Sequence, residues 1–380
     1  MVPALMRVLV APDKFRGTLA AAEAARAIAT GWRRVRPGDE VDEVPMADGG
    51  EGTLDALLAA LGGRRRTARV RGPLGDPVEA AYGLLETEGR RTAVVELARA
   101  SGLGLVSGSR RDPLRASTHG TGELILAACR DGADEVLVCV GGSATVDGGA
   151  GIAQALGVSL LDAAGRPIGP GGADLLELDR IDVTSIHPAV RSTRIVVACD
   201  VDNPLVGPEG AAHVYGPQKG ASPEQVLLLD RALGHLAAVV HRDLAIDVRS
   251  RPGGGAAGGV GAGLLAMLGA RLRPGVEVVI EAVGLRTRLE AADALLTGEG
   301  AFDRQSERGK VAGGVLAAAR ELGVPAAVLC GRADLAPDGV LVASLAERFG
   351  LERAMSRTRR CLEELASEVA AGAERLSFPA

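Results

Sequence analysis

The sequence predicts an α/β protein of two domains, and three observations lead to that prediction. Short β-rich apolar runs alternate along the chain with helical segments rich in Ala and Leu. The junctions between them are dense in Gly, Asp and Pro, as turns between strands and helices are. The chain has 380 residues, 47% of them hydrophobic, which is enough to bury the cores of about two domains.

The predicted strands are mostly continuous apolar runs, as expected of parallel strands that are buried on both faces. In chain order they span residues 7–11, 93–97, 135–140, 194–199, 294–297 and 326–330.

The predicted helices show apolar residues at spacings of three and four. They span residues 19–34, 122–130, 148–156, 223–242, 309–322 and 359–370. Several begin directly after a Gly-rich turn that follows a strand. Ligands of open α/β sheets bind outside the carboxyl ends of the strands, so we expect the site at these junctions.

Two changes of composition divide the chain, one near residues 61–71 and one near residue 285. We therefore predict a discontinuous first α/β domain, residues 1–66 plus 285–380, with residues 67–284 inserted as the second α/β domain. The first should carry a mainly parallel sheet. The segments after residue 67 alternate in polarity, as antiparallel strands do, so the second should carry a mixed sheet.

Composition and charge exclude several classes of function. The formal net charge of -5 leaves no basic field, so we predict no nucleic-acid and no membrane partner. Aromatic residues make up only 2%, which argues against stacking surfaces for bases. The five cysteines are scattered without CxxC spacing, which fits neither a disulfide framework nor a zinc site. With no secretory signal and no apolar run of membrane-span length, we expect a cytoplasmic protein.

Five Gly-rich or acidic loops stand out, at residues 48–53, 141–149, 216–220, 252–263 and 297–300. Successive glycines let several backbone N–H groups converge on an anion, and nearby carboxylates can hold Mg²⁺ through oxygen. In a chain with 53 glycines a single such loop is more often a tight turn. The repetition near strand ends favours phosphoryl chemistry.

The familiar nucleotide and hydrolase motifs do not fit. Residues 253–258 match GxGxxG, but no predicted buried strand precedes them and no acidic ribose partner follows at the expected distance. A Walker A loop is ruled out because Arg304 stands where its first Gly is needed. Residues 241–244 copy the start of a protein-kinase catalytic loop, but Val248 replaces its Asn. Ser143 lacks the last Gly of a nucleophile elbow.

Charged residues follow several of the predicted strands. Asp13 and Lys14 follow the first strand, Asp200 follows the fourth, and Glu299 and Asp303 follow the fifth. A single acidic residue at such a place could equally cap a helix. Their repetition favours a crevice that binds a ligand.

Taken together, these segments resemble the glycerate kinase family, in the same order from Ala11 to Lys310. The matching segments are APDKFRGT at 11–18, MADGGEGT at 46–53, GGSATVDGG at 141–149, DVDNPL at 200–205, GPQKG at 216–220, PGGGAAGG at 252–259 and TGEG at 297–300, followed by Asp303, Gln305-Ser306 and Gly309-Lys310. The departures are small: Arg16-Gly17-Thr18 stands where Lys-Gly-Ser is expected, and Gly254 stands where Ala is common.

The resemblance implies two α/β domains around a cleft, one inserted in the other. It also implies transfer of the γ-phosphoryl group of ATP to D-glycerate with Mg²⁺, in glyoxylate and glycerate metabolism. Family members are often 2-kinases, so we favour 2-phosphoglycerate over 3-phosphoglycerate as the product. A homodimer is left open.

On this basis we assign candidate roles from the needs of phosphoryl transfer. Lys14, Asp48 and Asp200 are the catalytic candidates, and whether Asp48 and Asp200 hold Mg²⁺ or orient the hydroxyl is open. The substrate-binding candidates are Asp13, Arg16, Glu51 and Asn203, with Arg16 on the glycerate carboxylate. The candidates for binding nucleotide or phosphate are Gly141, Gly142, Ser143, Thr145, Gly253, Gly255, Gly258, Glu299 and Lys310. Lys14, Lys219 or Lys310 would pair with the transferred group.

Two other classes of protein remain as alternatives. A nicotinamide-dependent dehydrogenase of small hydroxy acids would need a true dinucleotide fingerprint. A module that only senses a nucleotide or metabolite would have no need for so many charged groups on loops.

Overall fold

The computed structural model describes residues 5–87, 89–304, 306 and 310–373. The chain divides into two compact units. The first unit comprises Met1–Asp48, Asp55–Gly62 and Val276–Ala380, and the other unit comprises Gly49–Leu54 and Gly63–Gly275. The domain boundaries expected at residues 66 and 284 stay a prediction.

The strands follow one another along the chain and are numbered in that order. They are β1 (Arg7–Val10), β2 (Glu40–Glu43), β3 (Arg64–Arg71), β4 (Pro77–Thr87), β5 (Arg90–Glu96), β6 (Glu135–Cys139), β7 (Ser159–Leu161), β8 (Arg180–Asp182), β9 (Arg194–Ala198), β10 (Arg271–Arg273), β11 (Ala294–Thr297), β12 (Ala301–Phe302), β13 (Ala326–Cys330), β14 (Arg332–Ala333) and β15 (Leu341–Ser344).

The α-helices are numbered in the same way. They are α1 (Ala21–Val35), α2 (Thr53–Leu61), α3 (Ala98–Ser101), α4 (His119–Arg130), α5 (Ala150–Ala155), α6 (Pro188–Arg191), α7 (Ala211–Tyr215), α8 (Pro223–Leu244), α9 (Ala256–Leu268), α10 (Gly275–Ala282), α11 (Leu285–Glu290), α12 (Val311–Glu321), α13 (Leu345–Phe349), α14 (Leu351–Ser356) and α15 (Thr358–Ala371). Short 3₁₀ helices span Leu103–Leu105, Gly108–Arg110, Ala173–Glu177 and Pro217–Lys219.

The first unit contains a five-stranded parallel sheet in the order β15-β13-β11-β1-β2. From β1 the chain moves outward to β2, and it later returns to β11 on the other side of β1. The strand order therefore reverses between β1 and β11. In doubly wound sheets a ligand binds at this switch point, outside the carboxyl ends of the two strands.

One face of this sheet is covered by α1 and α15, which pack closely against each other. Trp32 and Ile28 of α1 share a buried core with Leu362 and Ala366 of α15. A Cβ atom on Gly31 would lie 2.2 Å from the carbonyl oxygen of Glu363, so the two helix backbones nearly touch. This packing supports the sheet that positions the cavity described below.

The second unit contains a six-stranded sheet in the order β10-β9-β6-β5-β4-β3. Strands β10, β9, β6 and β5 are parallel, and β4 and β3 join them antiparallel. Strands β7 and β8 form a separate antiparallel pair. The predicted fold class is confirmed: both units are α/β, with a parallel main sheet in the first and a mixed sheet in the second.

Of the six predicted helices, α8 begins as predicted, at Pro223, whereas the helices expected from residues 19, 122 and 359 begin at Ala21, His119 and Thr358. The helix expected at 148–156 begins only at Ala150, because Gly148 and Gly149 have φ of 63° and 74°, outside the right-handed helical region. The start expected at residue 309 lies outside the described residues, and α12 begins at Val311. The His-Arg-Asp-Leu sequence at 241–244 forms the end of α8 and is therefore helical, unlike a protein-kinase catalytic loop. None of the described helices is long and apolar enough to cross a membrane.

Candidate functional site

A cavity of about 420 Å³ lies in the first unit, at the switch point of its parallel sheet. Its lining includes Asp13 and Lys14, which follow β1, and Glu299, which follows β11. Gly331, just after β13, and Leu345, just after β15, also line it. The cavity is therefore built from the carboxyl ends of four neighbouring strands, and its volume is within the usual range for a small-molecule site.

Backbone hydrogen bonds hold the segments after β1 and β11 side by side. The N–H of Ala11 donates to the carbonyl of Leu296, and the N–H of Asp13 donates to the carbonyl of Gly298, both at 2.8 Å. The Thr297 hydroxyl also donates to the carbonyl of Ala11 at 2.8 Å. The parallel pairing thus continues past the strands and fixes the backbone that carries Asp13 and Glu299.

Gly298 is needed for close packing of the loop that carries Glu299. A Cβ atom at this position would lie 1.9 Å from the carbonyl oxygen of Leu329 in β13. Only glycine lets the loop run so close to the neighbouring strand. The Gly in the Thr-Gly-Glu-Gly segment is thus explained by packing, whereas the Glu beside it lines the cavity.

The two acidic side chains of the switch point titrate much closer to neutral pH than ordinary carboxyl groups. Burial raises the pKa of Asp13 to about 6, and the nearby charge of Asp48 adds to the rise. Burial likewise raises the pKa of Glu299 to about 7. The hydrogen bond from Ser306 lowers this pKa, whereas the negative charge of Asp13 raises it further. Acids with such raised pKa values in a cavity are typical of catalytic sites.

One oxygen of Glu299 is buried without a partner. Its Oε1 has no hydrogen-bond partner among the residues that the structure describes. Buried polar atoms are almost always paired, so an exception that lines a cavity indicates a ligand position.

Among the described residues, four cationic side chains line the same cavity: Lys14, Arg16, Lys310 and Arg332. The Lys14 Nζ lies 3.9 Å from Asp48 Oδ1, and these two side chains are 25% and 28% exposed. The cavity therefore presents both charge signs, which suits an anionic substrate and the transfer of a proton from it.

The donor set at this cavity fits Mg²⁺ bound together with phosphate. No group of three or more His, Cys, Asp or Glu side chains arranged to hold a metal occurs among the described residues. In phosphoryl-transfer sites Mg²⁺ needs only one or two carboxylates, because phosphate oxygens and waters complete its shell. Asp48 lines this cavity. Asp200 lies in the second unit, where its Oδ1 accepts a hydrogen bond of 2.6 Å from the Gly275 N–H.

In the second unit, a buried lysine organises the loop at residues 141–149. The ammonium of Lys219 donates to the Ser143 hydroxyl and to the carbonyl oxygen of Thr145, both at 2.6 Å. Lys219 is only 2% exposed, and burial lowers its pKa to about 7 against the opposing charge of Asp147. The Thr145 hydroxyl is buried with no partner among the described part of the chain.

Asp147 is a residue of this loop that sequence reasoning did not single out. Its Oδ2 accepts hydrogen bonds from the N–H and the hydroxyl of Thr118, at 2.7 and 2.8 Å. Burial raises its pKa, while the hydrogen bonds from Thr118, Gly149 and Gly151 oppose the rise. The acidic residue within a Gly-rich run was the available signal, but its partner Thr118 lies on a distant segment.

The predicted phosphate-binding glycines at 253–258 are buried against protein backbone. Gly258 has a φ of 76°, and a Cβ atom there would lie 2.0 Å from the carbonyl oxygen of Thr145. A Cβ atom on Gly255 would lie 2.3 Å from the carbonyl oxygen of Pro204. Gly253 is also buried. These contacts explain the glycines by close packing of two loops, and their phosphate role stays a prediction.

The remaining candidates of the second unit divide into exposed and internally bonded groups. Glu51 is exposed, and its Oε1 lies 1.9 Å from where a Cβ atom on Gly142 would stand, so its side chain covers that glycine. The Asn203 amide is bonded at both ends, accepting from the Tyr215 hydroxyl at 2.6 Å and donating to the carbonyl of Glu209 at 2.8 Å. A Cβ atom on Gly141 would lie 2.9 Å from the Cα atom of Gly50, so these two glycines pack closely.

Paired acids and cations in a cavity at the switch point of a doubly wound sheet define an α/β enzyme that acts on a small anionic molecule. Residues 8–377 match the glycerate kinase family. The chain therefore belongs to the glycerate kinase family, whose members are phosphotransferases, and this confirms the resemblance found in its motifs.

Individual relatives agree over nearly the whole chain. The chain is 46% identical to the glycerate kinase of Halalkalibacterium halodurans over 370 residues, covering 96% of this chain and 97% of that protein. It is 46% identical to the glycerate 2-kinase of Escherichia coli (strain K12) over 326 residues, covering 86% and 85%. The crystal structure of a Salmonella typhimurium LT2 protein assigned as glycerate kinase 2 superimposes with a TM-score of 0.87 at 42% identity, covering 98% and 99%.

Proposed function

We propose that this chain transfers the γ-phosphoryl group of ATP to D-glycerate and forms 2-phosphoglycerate. The observation that carries the proposal is the switch-point cavity, where raised-pKa acids face Lys14, Arg16 and Lys310. The family supports the kinase activity. The choice of the 2-hydroxyl rests on the relative that is named a glycerate 2-kinase.

The acceptor is held and activated by groups of this cavity. Arg16 is exposed at the cavity and pairs with the glycerate carboxylate through two parallel hydrogen bonds. Glu299 accepts the proton of the attacking hydroxyl, since its Oε1 has no partner among the described residues and its pKa of about 7 suits a general base. Asp13, beside it, helps to orient the hydroxyl.

The transferred group is neutralised by the two lysines. Lys14 and Lys310 pair with the oxygens of the γ-phosphoryl group, whose charge is spread over three oxygens in the transition state. The hydroxyl oxygen forms the new bond to phosphorus as the bond to the β-phosphate oxygen breaks, and ADP leaves with that electron pair. Mg²⁺, when bound, supplies further positive charge to the phosphates, and Asp48 would hold it.

In the second unit, we retain the roles assigned from the sequence for three exposed residues: Asp200 in catalysis or Mg²⁺ binding, Glu51 in substrate binding and Gly142 in nucleotide or phosphate binding. Asp200, Glu51 and Gly142 are exposed and lie on loops. Lys219 cannot pair with the transferred group in its present position, because its ammonium is buried and bonded to Ser143 and Thr145. We assign it instead to holding that loop. The cytoplasmic location and the place in glyoxylate and glycerate metabolism stay predictions.

One incubation tests the proposed reaction. The purified chain is mixed with ATP, Mg²⁺ and D-glycerate, and the products are resolved by ³¹P NMR, with an EDTA-treated sample alongside. We expect a resonance for 2-phosphoglycerate that depends on Mg²⁺. A 3-phosphoglycerate resonance would correct the regiochemistry, and no phosphoglycerate at all would overturn the function.

A further inference from the structure

The lining of the switch-point cavity also includes apolar side chains that a small anionic acceptor does not need. Leu351, Ala354 and Met355 of α14 line it together with Leu345. The spacing of three and four residues places the three α14 side chains on one face of the helix. Glycerate has three carbons and is matched to the charged side chains, so a larger molecule must account for the apolar ones.

Two of these side chains are unusually exposed for large hydrophobic residues. Leu351 is 63% exposed and Met355 is 56% exposed. Of the large exposed hydrophobic side chains in the described part of the chain, these two line this cavity. A single exposed hydrophobic side chain needs no explanation, but a pair that continues a charged cavity indicates a contact surface.

We propose that this α14 face, Leu351 and Met355 with Ala354, is the seat of the purine base of the donor nucleotide, whose phosphates extend toward Lys14 and Lys310. The proposal rests on the proposed function and adds the position of the donor to it. A nucleoside triphosphate has a flat apolar ring at one end and concentrated negative charge at the other. The cavity lining likewise combines aliphatic side chains with cations around one space of about 420 Å³.

The side chains of this α14 face and Leu345 also indicate how the base would be recognised. Leu345, Leu351, Ala354 and Met355 carry no N–H or O–H group on their side chains, and a thioether such as that of Met adapts to an aromatic ring. The nearby Thr358 hydroxyl donates within its own helix turn, to the carbonyl of Ala354 at 2.7 Å. These side chains therefore hold the base by apolar contact and shape, while Arg332, which also lines the cavity, is paired with Asp334 at 2.9 Å.

The test is a double variant, Leu351→Asn with Met355→Gln, which keeps side-chain size and removes apolar surface. Both positions are exposed, so folding should be retained, and the melting temperature checks this. The matched control is Leu227→Asn on α8 in the second unit, where Leu227 is 58% exposed. The affinity for ADP is measured by titration calorimetry, and KM is measured separately for ATP and for D-glycerate.

We expect the double variant to weaken ADP binding and to raise KM for ATP roughly tenfold, which corresponds to about 1.4 kcal/mol. KM for glycerate should change by less than about twofold, since Arg16 and Glu299 are untouched. The Leu227→Asn control should match the wild type in every measurement.

Three outcomes would contradict the proposal that the purine base binds at this α14 face. They are an unchanged affinity for ADP, a rise in KM for glycerate alone, or a loss of self-association in the double variant, which would make the face an interface between two copies. ADP titration needs no turnover, so it tests the seat even where glycerate proves not to be the acceptor. A wild type that binds ADP at this face but forms no phosphoglycerate would refute the proposed function and leave the seat intact.

Discussion

The segments that line the first-unit cavity and the Gly-rich loops of the other unit both combine Gly with polar or charged residues. Their structures differ. At the cavity, Glu299 keeps a buried oxygen without a partner among the described residues, and four cationic side chains of those residues line the same space. In the loops, Lys219 is bonded to Ser143 and Thr145, and backbone atoms fill the space beside Gly258. An unpartnered buried atom alone does not separate the two regions, because the Thr145 hydroxyl of the loops also has no partner among the described residues. The cavity differs in that acids of raised pKa and cationic side chains line one space beside the unpartnered oxygen.

The largest effect should come from removing a cation of the cavity. Lys14→Ala is expected to lower kcat/KM by about a hundredfold or more, because it removes a contact to the charge of the transition state. Steady-state kinetics with D-glycerate and ATP measure it. Arg286→Ala, a change at an exposed pair with Glu321 at 2.7 Å in the first unit, is the control and should have wild-type kinetics. Near-normal activity of folded Lys14→Ala would remove Lys14 from the mechanism.

The next largest effect concerns the proposed general base. Glu299→Gln should lower kcat by roughly ten- to a hundredfold at pH 8, which is near the usual contribution of such a group. In the wild type, kcat should fall as the pH drops through about 7, because the carboxylate becomes protonated and loses its basicity. The variant should lose this part of the pH profile. A variant that keeps both its rate and its acidic limb would show that another group is the base.

A glycine of the scaffold should affect stability more than chemistry. Gly258→Ala places a Cβ atom 2.0 Å from the Thr145 carbonyl oxygen at a φ of 76°. We expect it to lower the free energy of unfolding by about 2 kcal/mol or more. Gly207→Ala is the matched control, since Gly207 has a φ of 93° but no atom within 4 Å of the added Cβ, and about 1 kcal/mol of backbone strain remains. Urea denaturation measures both, and equal losses would contradict the packing role.

The smallest effect is a pH dependence of stability at Lys219. Burial lowers its pKa to about 7 in the folded state, whereas an ordinary lysine has a pKa of 10.5. Between these values the unfolded chain binds more protons, so the contribution of Lys219 to stability rises with pH through this window and is least favourable below pH 7. In Lys219→Met this contribution is lost. The wild type should gain roughly 1–2 kcal/mol over the variant between pH 7 and pH 9 in urea denaturation, and a constant difference would contradict the buried amine.

The sequence predicted the central strands well and the edge strands poorly. The strands at Ala294–Thr297 and Ala326–Cys330 have the predicted bounds, because strands buried on both faces are continuous apolar runs. Strand β2 was missed because its sequence, Glu-Val-Asp-Glu, is polar, as an edge strand allows. The order of strands, and hence the switch point, depends on contacts between segments nearly three hundred positions apart in the numbering, which local patterns do not encode.

The same limit applies to the site. Charged residues after buried strands predicted a crevice at this edge of the sheet, and Asp13, Lys14 and Glu299 do line one cavity there, while their roles stay predictions. Glycine was ambiguous, because the lack of a Cβ permits both anion binding and close packing, and only the neighbours of Gly258 distinguish them. The exposure of Leu351 and Met355 could not be predicted from the sequence. An apolar helix face predicts burial unless the neighbouring elements are known.

The most direct test of the central claim, that the first-unit cavity is the catalytic site, is a crystal structure with D-glycerate and a non-hydrolysable ATP analogue. We predict the γ-phosphate against Lys14 and Lys310, with the 2-hydroxyl within hydrogen-bonding distance of Glu299 Oε1. Phosphates bound at Gly253–Gly258 with the first-unit cavity free of ligand would contradict it.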